Sequence, residues 1–194
     1  QDLAAVQAAF GRDAPGGARR TGFATAAEVP EVAAEALIER EPLTVIVSRL
    51  GWVRTMKGHQ PPDQELKFKD GDGPGFQFHA ETTDRILVAA SNGRFYTLAA
   101  AGLPGGRGMG EPLRLMIDLP NEAAVVAMEI WRPGERWLVA STEGDGFVVA
   151  ADDLLAQTRA GKQGLVLREG ARTALCRRVA GDHVAAVGEN RKLL

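Results

Sequence analysis

The chain has 194 residues, of which 45% are hydrophobic, which is enough for the core of one large or two small domains. No apolar run reaches the roughly eighteen residues of a membrane span, and the net charge of −2 does not by itself indicate a nucleic-acid binder. The lone Cys176 excludes an internal disulfide and fits a reducing cytosol. Its setting, TALCRRV, predicts a buried strand residue.

The charges are unevenly divided along the chain. Residues 1–41 contain seven acidic and four basic residues, a net charge of −3. Residues 42–194 contain eighteen acidic and nineteen basic residues, a net charge of +1. Any affinity of this near-neutral region for DNA must therefore come from where its charges lie.

The first part of the chain is predicted to be a linker. Residues 1–10 have the pattern of the last turns of a helix, with Leu3, Val6 and Phe10 on one face. Gly, Pro and Arg residues break this pattern over 11–22, and an Ala- and Glu-rich stretch follows to residue 41. We therefore predict a partly helical or disordered linker over 1–41 and a β domain over 42–194. The start at Gln1, without a methionine or a signal peptide, suggests a fragment.

From Pro42 onward a hairpin pattern occurs four times. Each copy is an apolar strand, a tight turn and a second apolar strand. The copies cover 44–53, 86–98, 137–150 and 183–194. Their turns align on Gly51, Gly93, Gly146 and Asn190, at spacings of 42, 53 and 44 residues. Glycine and asparagine adopt the left-handed backbone of a tight turn most easily, so this recurrence predicts a radial β architecture.

A glycine loop with basic residues follows each hairpin. Fifteen residues after the turn lie Gly108, within GGRGMG (105–110), and Gly161, within RAGKQG (159–164). The same step in the first copy reaches ELKFKDGD (65–72), which is basic but has a shifted glycine. A further strand is predicted after each loop, at FQFHA, LRLMIDL and GLVL. The sequence thus predicts three complete units and the start of a fourth, with equivalent loops on one rim.

Three segments carry a family resemblance. EPLTVIVSRLGWVRTMKGH (41–59), LPGGRGMGEPL (103–113) and GDGFVVAADDLLAQTRAGKQGLVL (144–167) resemble the C-terminal domain of ParC, the A subunit of bacterial DNA topoisomerase IV, which is related to the gyrase A C-terminal domain. The resemblance implies an all-β fold, the β-pinwheel. Its propeller-like blades have four strands each, one of them exchanged between neighbours. Here it implies about three complete blades plus the start of a fourth. Gyrase's Gln-Arg-Arg-Gly-Gly-Lys-Gly box is absent, which favours topoisomerase IV.

The resemblance also implies a function. Such a domain is non-catalytic and binds and bends DNA, helping to select substrates for chromosome decatenation and supercoil relaxation by an ATP-dependent type II topoisomerase. We expect no cofactor in this fragment, with ATP and Mg²⁺ used on other domains. The expected partners are duplex DNA, contacted through its backbone, the B subunit of topoisomerase IV through other domains, and an SMC or condensin-type protein, with no membrane. The expected location is cytoplasmic and nucleoid-associated.

Ten basic residues are candidates for DNA contact. Glycine-rich turns expose backbone N–H groups beside a cation, a combination that can bind phosphate. Lys67 and Lys69 alternate around Phe68 as on a strand face. Cations after hairpin turns could instead protect edge strands, and each candidate could simply be solvated. The full set is Arg54, Lys57, Lys67, Lys69, Arg94, Arg107, Arg159, Lys162, Arg191 and Lys192.

Other residues point to structure rather than chemistry. We expect the aromatic residues after the hairpin turns to be core, namely Trp52, Phe95, Tyr96 and Phe147. The three histidines are far apart in sequence, so we predict no metal. Asp152 and Asp153 are expected to cap a short helix, DDLLAQTR. No phosphate loop or nucleophile–base pattern appears.

Two alternatives to a DNA-binding domain stay open. One is a propeller-like protein-interaction module that docks a chromosome-organising partner without DNA contact. The other is a free-standing propeller enzyme, for which no rim position gathers an acid, a base or metal ligands.

Overall fold

The computed structural model describes residues 2–12, 14–15, 38–106, 108–185 and 187, and its contacts divide the chain into units 1–36 and 37–194. The described part of the first unit contains the predicted helix, α1 (Asp2–Phe10), on which Leu3, Val6 and Phe10 are exposed. The rest of the predicted linker falls mainly on residues 16–37, outside the described residues. No helix among the described residues is long and apolar enough to cross a membrane.

The second unit is built from short antiparallel strands. Its described strands are β1 (Pro42–Ser48), β2 (Trp52–Lys57), β3 (Pro74–Glu81), β4 (Arg85–Ala90), β5 (Arg94–Ala99), β6 (Glu111–Pro112), β7 (Val125–Ile130), β8 (Arg136–Ser141), β9 (Gly146–Ala150), β10 (Lys162–Gln163) and β11 (Thr173–Arg178).

These strands form three sheets that exchange strands with one another. The first sheet has the order β3-β1-β2-β6, the second β7-β4-β5-β10, and the third β11-β8-β9. Strand β6 follows the β4–β5 hairpin but pairs with β2 of the preceding sheet, and β10 follows β8–β9 but pairs with β5. This exchange confirms the predicted β-pinwheel. Within the described residues the third sheet has three strands, and the predicted fourth hairpin (183–194) lies largely outside them.

The hairpin turns repeat as predicted, with one correction of register. In each turn a glycine with positive φ donates its N–H to the carbonyl three residues earlier. These glycines are Gly51 (φ 80°), Gly93 (φ 78°) and Gly144 (φ 84°). The predicted third turn residue, Gly146, is wrong, because it is already the first residue of β9 and pairs with Ala140. The fourth, Asn190, lies outside the described residues.

The core lies between successive sheets, and β4 contributes to both halves of it. Ile86 and Val88 pack into a cluster with β1 and β2, whereas Leu87 and Ala89 pack into a second cluster with Trp137 of β8. Because alternate side chains of a strand point to opposite faces, a strand covered on both faces has a continuous apolar run. Each such fully buried side chain contributes about 1.5–3 kcal/mol.

Two of the three strands predicted after the glycine loops are wrong. FQFHA lies in β3, as expected, but LRLMIDL begins with a 3-10 helix (Leu113–Leu115), and GLVL forms no strand. The strands that complete the sheets, β7 and β11, come later in the chain. The apolar residues of the two segments are buried without pairing, Leu113 and Ile117 in the first and Leu165 in the second.

The predicted helix DDLLAQTR is shorter and begins earlier than expected. It is a 3-10 helix over Ala151–Leu154, and the residue before it makes no side-chain cap. Asp152 instead accepts a hydrogen bond from the Gly134 N–H at 3.1 Å. This carboxylate therefore ties the helix to the turn between β7 and β8.

The lone cysteine is a core residue, as predicted. Cys176 lies in β11, is 4% exposed, and belongs to the second core cluster. Burial, with a smaller effect from the charge of Glu129, raises the pKa of its thiol to about 12. A thiol in this state is a poor nucleophile because the thiolate is the reactive form.

Candidate nucleic-acid interface

The two exchanged segments occupy equivalent places in successive sheets. Glu111 of β6 pairs with Val53, and Lys162 of β10 pairs with Phe95. The residue before each is a glycine with positive φ, Gly110 (87°) and Gly161 (72°). Each lies so close to the receiving strand that a Cβ atom would approach a backbone carbonyl oxygen to 2.2 or 2.7 Å. Two backbones can meet this closely only where the incoming residue has no side chain.

This equivalence corrects the repeat step predicted from sequence. Counted from the observed turn glycines, Gly93 to Gly110 and Gly144 to Gly161 are both 17 residues. The predicted fifteen-residue step is wrong because it started from Gly146 in one copy and ended on Gly108 in the other. Alignment on Gly144 would have revealed the true step from sequence alone.

The first basic cluster forms around Arg54 on β2. The guanidinium donates from Nη1 to the carbonyl of Gly108 at 3.0 Å and from Nη2 to the carbonyl of Lys67 at 2.8 Å. Its Cζ atom lies 5.8 Å from the centroid of the Phe68 ring. Arg54 is half-buried and joins the segments 65–72 and 105–110.

Lys69 lies in the same cluster but on an aromatic surface. Its Nζ atom is 3.1 Å from the ring centroid of Trp52, a cation–π contact. The prediction of a strand over Lys67 and Lys69 is wrong, since these residues have no regular structure. Both lysines are nevertheless exposed while Phe68 is half-buried. Sequence analysis missed Trp52 as a stacking partner; its position two residues before Arg54 on the same strand face was the available signal.

A carboxylate holds the lysine-bearing segment against the first hairpin turn. Asp72 Oδ1 accepts hydrogen bonds from the N–H groups of Leu50 at 3.0 Å and Gly73 at 2.7 Å. Desolvation acts to raise the pKa of Asp72, but hydrogen bonds from Ser48, Gly73 and Leu50 and the charge of Arg49 together lower it. The anionic form of Asp72 is therefore the one that fits the turn.

The second basic cluster forms around the exchanged strand β10. Arg94 donates to the carbonyl of Ala160 at 2.6 Å, and Arg159 donates to the carbonyl of Leu115. The Arg159 Nε atom also lies 3.9 Å from a carboxylate oxygen of Asp118. Lys162 is exposed on β10. The structure thus brings Arg94, Arg159 and Lys162 to one edge of the second sheet.

The remaining candidates lie apart from these clusters or outside the described residues. Lys57 is three residues beyond Arg54 on β2, with its Nζ 3.7 Å from a carboxylate oxygen of Glu41. Arg107, Arg191 and Lys192 lie outside the described residues. Their DNA contacts therefore stay a prediction, as do those of the seven described candidates.

The expected burial of the aromatic residues is confirmed for two of the four. Phe95 and Tyr96 are fully buried. Trp52 is half-buried, and Phe147 is 43% exposed, so the expectation is wrong for both. Phe147 lies on β9, over which the described residues place no exchanged strand.

Two histidines that are distant in sequence meet in the fold. The rings of His59 and His79 stack with centroids 4.5 Å apart and planes 3° apart. Their Nε2 atoms lie 3.4 Å from the carbonyl oxygen of Ala80 and 2.7 Å from that of Gln60, respectively. The expectation that all the histidines lie far apart is therefore wrong for this pair. In the described part of the chain, no group of three or more His, Cys, Asp or Glu residues is placed to hold a metal.

The sheets and their exchanged strands define the chain as a β-pinwheel domain, and solved structures support this class. The Escherichia coli ParC C-terminal domain superposes with a TM-score of 0.67 and 35% identity, covering 73% of this chain and 58% of that one. A topoisomerase IV C-terminal domain (TM-score 0.64, 16% identity, 74% and 47% covered) and a gyrase A C-terminal domain (0.51, 18%, 74% and 50%) share the fold. No protein-family model matches the chain.

Sequence comparison narrows the class to one family. The DNA topoisomerase 4 A subunit of Rickettsia bellii is 41% identical over 195 residues, covering all of this chain. The protein of the same name from Caulobacter vibrioides is 44% identical over 179 residues, and that of E. coli K12 is 33% identical over 171. The chain spans 22–26% of the length of these relatives. It belongs to the ParC family of topoisomerase IV, with the fold of the ParC C-terminal domain, as the sequence resemblance predicted.

Proposed function

We propose that this domain binds duplex DNA through its phosphate backbone and serves as a non-catalytic accessory domain of a type II topoisomerase. The observation that carries the proposal is the equivalent placement of two basic clusters in successive sheets. One surrounds the segment leading into β6 and the other surrounds β10. Equivalent placement turns charges that are scattered in sequence into a repeated arrangement, which suits a ligand with regularly spaced phosphates.

The charge distribution favours weak, salt-sensitive binding. Residues 42–194 carry a net charge of only +1, so long-range attraction is small and contact depends on the local clusters. Exposed Lys67, Lys69 and Lys162 have the freedom to meet phosphates. Arg54 and Arg94 already donate to backbone carbonyls, which leaves fewer of their N–H groups for DNA.

In the whole protein, this domain would help to select DNA substrates for decatenation and supercoil relaxation. Bending of the bound DNA along the basic clusters would favour particular crossings. Strand cleavage and the use of ATP and Mg²⁺ would belong to other domains and to the B subunit. The complex would act on the nucleoid in the cytoplasm, where an SMC or condensin-type protein is a further partner.

Fluorescence anisotropy with a labelled duplex of mixed sequence tests DNA binding. If four to six phosphates are neutralised, log affinity against log salt should fall with a slope of about −4 to −5. Duplexes of different sequence should bind alike, because phosphate contacts carry no base information. No binding at tens of micromolar protein in low salt would overturn the proposal.

A protein-interaction role is the competing function, and one observation favours it. Phe147 and Val148 on β9 are 43% and 45% exposed, an apolar pair at the edge of the third sheet. Exposed apolar surface of this kind is typical of interaction sites. A pull-down of purified SMC-type protein in the presence of nuclease separates the two functions. Capture that is lost in Phe147→Ser, together with absent DNA binding, would favour the interaction module.

A further inference from the structure

We infer that Arg54 is a positioning residue, which supports DNA binding by holding two loops in place rather than by contacting a phosphate itself. The inference rests on the proposed function, because it concerns how the first basic cluster is organised. It also changes the role that sequence analysis assigned to this arginine as a direct phosphate contact.

The geometry shows what the guanidinium holds together. Nη1 and Nη2 donate to carbonyls of Gly108 and Lys67, which are 41 residues apart in the chain. The Sδ atom of Met109 lies 4.0 Å from Nη1, and the Phe68 ring lies beneath Cζ. An arginine can bridge two acceptors because its planar fork presents several N–H groups in fixed directions. A lysine ammonium carries the same charge but lacks this fork.

Both loops need an external restraint to hold one shape. Residues 65–69, 106 and 108–110 lie in no helix or strand, and four glycines among residues 105–110 make the second loop costly to order. A cavity of about 210 Å³ separates the Arg54 side chain from the backbone of this glycine loop. The hydrogen bond to Gly108 crosses at its edge, so the arginine sets the distance between loop and strand.

The next sheet contains a second clamp of the same kind. Arg94, on the receiving strand β5, donates from Nη1 to the carbonyl of Ala160 at 2.6 Å and to that of Gly161 at 3.5 Å. These carbonyls precede β10, as Gly108 precedes β6. Arg94 occupies the repeat position of Trp52 rather than that of Arg54. The chain therefore places an arginine against the incoming segment twice, by different routes.

The decisive experiment compares Arg54→Lys with Arg54→Gln by anisotropy against a labelled duplex, each alone and combined with Lys67→Gln/Lys69→Gln. If Arg54 acts through the loops, both substitutions should weaken binding by a similar factor, about 3- to 10-fold. In the Lys67→Gln/Lys69→Gln background that factor should fall below about 2-fold, since residues that act through each other are non-additive. Wild-type affinity in Arg54→Lys, or fully additive losses, would show a direct phosphate contact and overturn the inference.

Hydrogen–deuterium exchange without DNA tests the clamp separately. In Arg54→Lys, amides in both segments, 65–72 and 105–110, should exchange several-fold faster while the core strands keep wild-type protection. Arg136→Lys, an exposed arginine on the third sheet, is the matched control and should change neither exchange nor binding. Unchanged exchange in Arg54→Lys overturns the clamp. Failure of the wild-type protein to bind any duplex overturns the proposed function instead.

Discussion

A Cβ atom placed on Gly161 would lie 2.7 Å from the ring carbons Cδ1 and Cε1 of Tyr96. The glycine immediately precedes the exchanged strand β10, and the tyrosine is fully buried in the strand that receives it. The exchanged backbone thus seals an aromatic ring of the neighbouring sheet. Strand exchange and core formation are therefore one event at this point, and the same glycine positions the basic residues beside it.

We predict that Gly161→Ala destabilises the domain by about 2–4 kcal/mol. The methyl group would overpack against Tyr96 and the carbonyl of Phe95, and alanine would be strained at a φ of 72°. Urea denaturation followed by circular dichroism measures the change. Gly134→Ala is the matched control, because φ is 76° with no atom within 4 Å of the added Cβ. It should cost only about 1 kcal/mol; equal losses in both variants would contradict the close approach.

Asp72 should make the stability of the domain depend on acid pH. Its pKa in the folded state is lowered from the ordinary value of 3.8, so its carboxylate stabilises the fold above pH 3.8, and this contribution is lost as the pH falls through the lowered pKa. Asp72→Asn should be less stable than wild type at pH 7, with the difference shrinking towards pH 3. Thermal denaturation over this range measures it, with Asp63→Asn as the charge-matched control. A difference independent of pH would contradict the prediction.

Charge reversal should separate the clustered lysine from the isolated one. Lys162 belongs to the cluster with Arg94 and Arg159, whereas Lys57 lies beyond the first cluster with its ammonium close to Glu41. We predict that Lys162→Glu weakens duplex binding by about 5- to 20-fold and reduces the salt slope by about 1 or more. Lys57→Glu should change affinity by less than about 2-fold. Equal effects from the two substitutions would contradict the assignment of the interface to the exchanged segments.

Cys176 should be unreactive in the folded domain. Its thiol is 4% exposed and its pKa is raised to about 12, so thiolate is scarce at pH 8 and access requires opening of the third sheet. Reaction with a chromogenic disulfide should be at least about 100-fold slower than for a free thiol, and urea should restore the fast rate. The control is Ala174→Cys in a Cys176→Ala background, which places the thiol on the exposed part of β11. Fast labelling of the native wild type would contradict the buried assignment.

Much of the architecture could be predicted from the sequence because local chemistry sets it. The apolar runs and turn glycines specify the hairpins β1–β2, β4–β5 and β8–β9, including Gly51 and Gly93 at their turns. The predicted third turn is wrong by two residues because GDG offers two glycines, and only the backbone shows that Gly144 has positive φ. The strands predicted at LRLMIDL and GLVL are wrong for a related reason. Their apolar residues are buried by tertiary contact, and strand periodicity cannot distinguish this from pairing.

The candidate site was predicted less completely, because side chains that are near in sequence can serve different neighbours. The sequence identified the basic residues around the exchanged segments but not their roles. Arg54 and Arg94 hold loop carbonyls, and Lys69 lies on Trp52. Each of these contacts joins segments that are distant in the chain; Trp52 and Lys69, for example, are 17 residues apart.

By itself, the sequence determined the β class, the recurring hairpin and the family, since each depends on residue types at short spacings. Only the tertiary structure decided which sheet receives β6 and β10, and therefore which arginine meets which loop. A two-residue strand such as β10 carries too few side chains to specify its own partner. Its place is fixed by Gly161, which lies against Tyr96 where a larger residue would not fit.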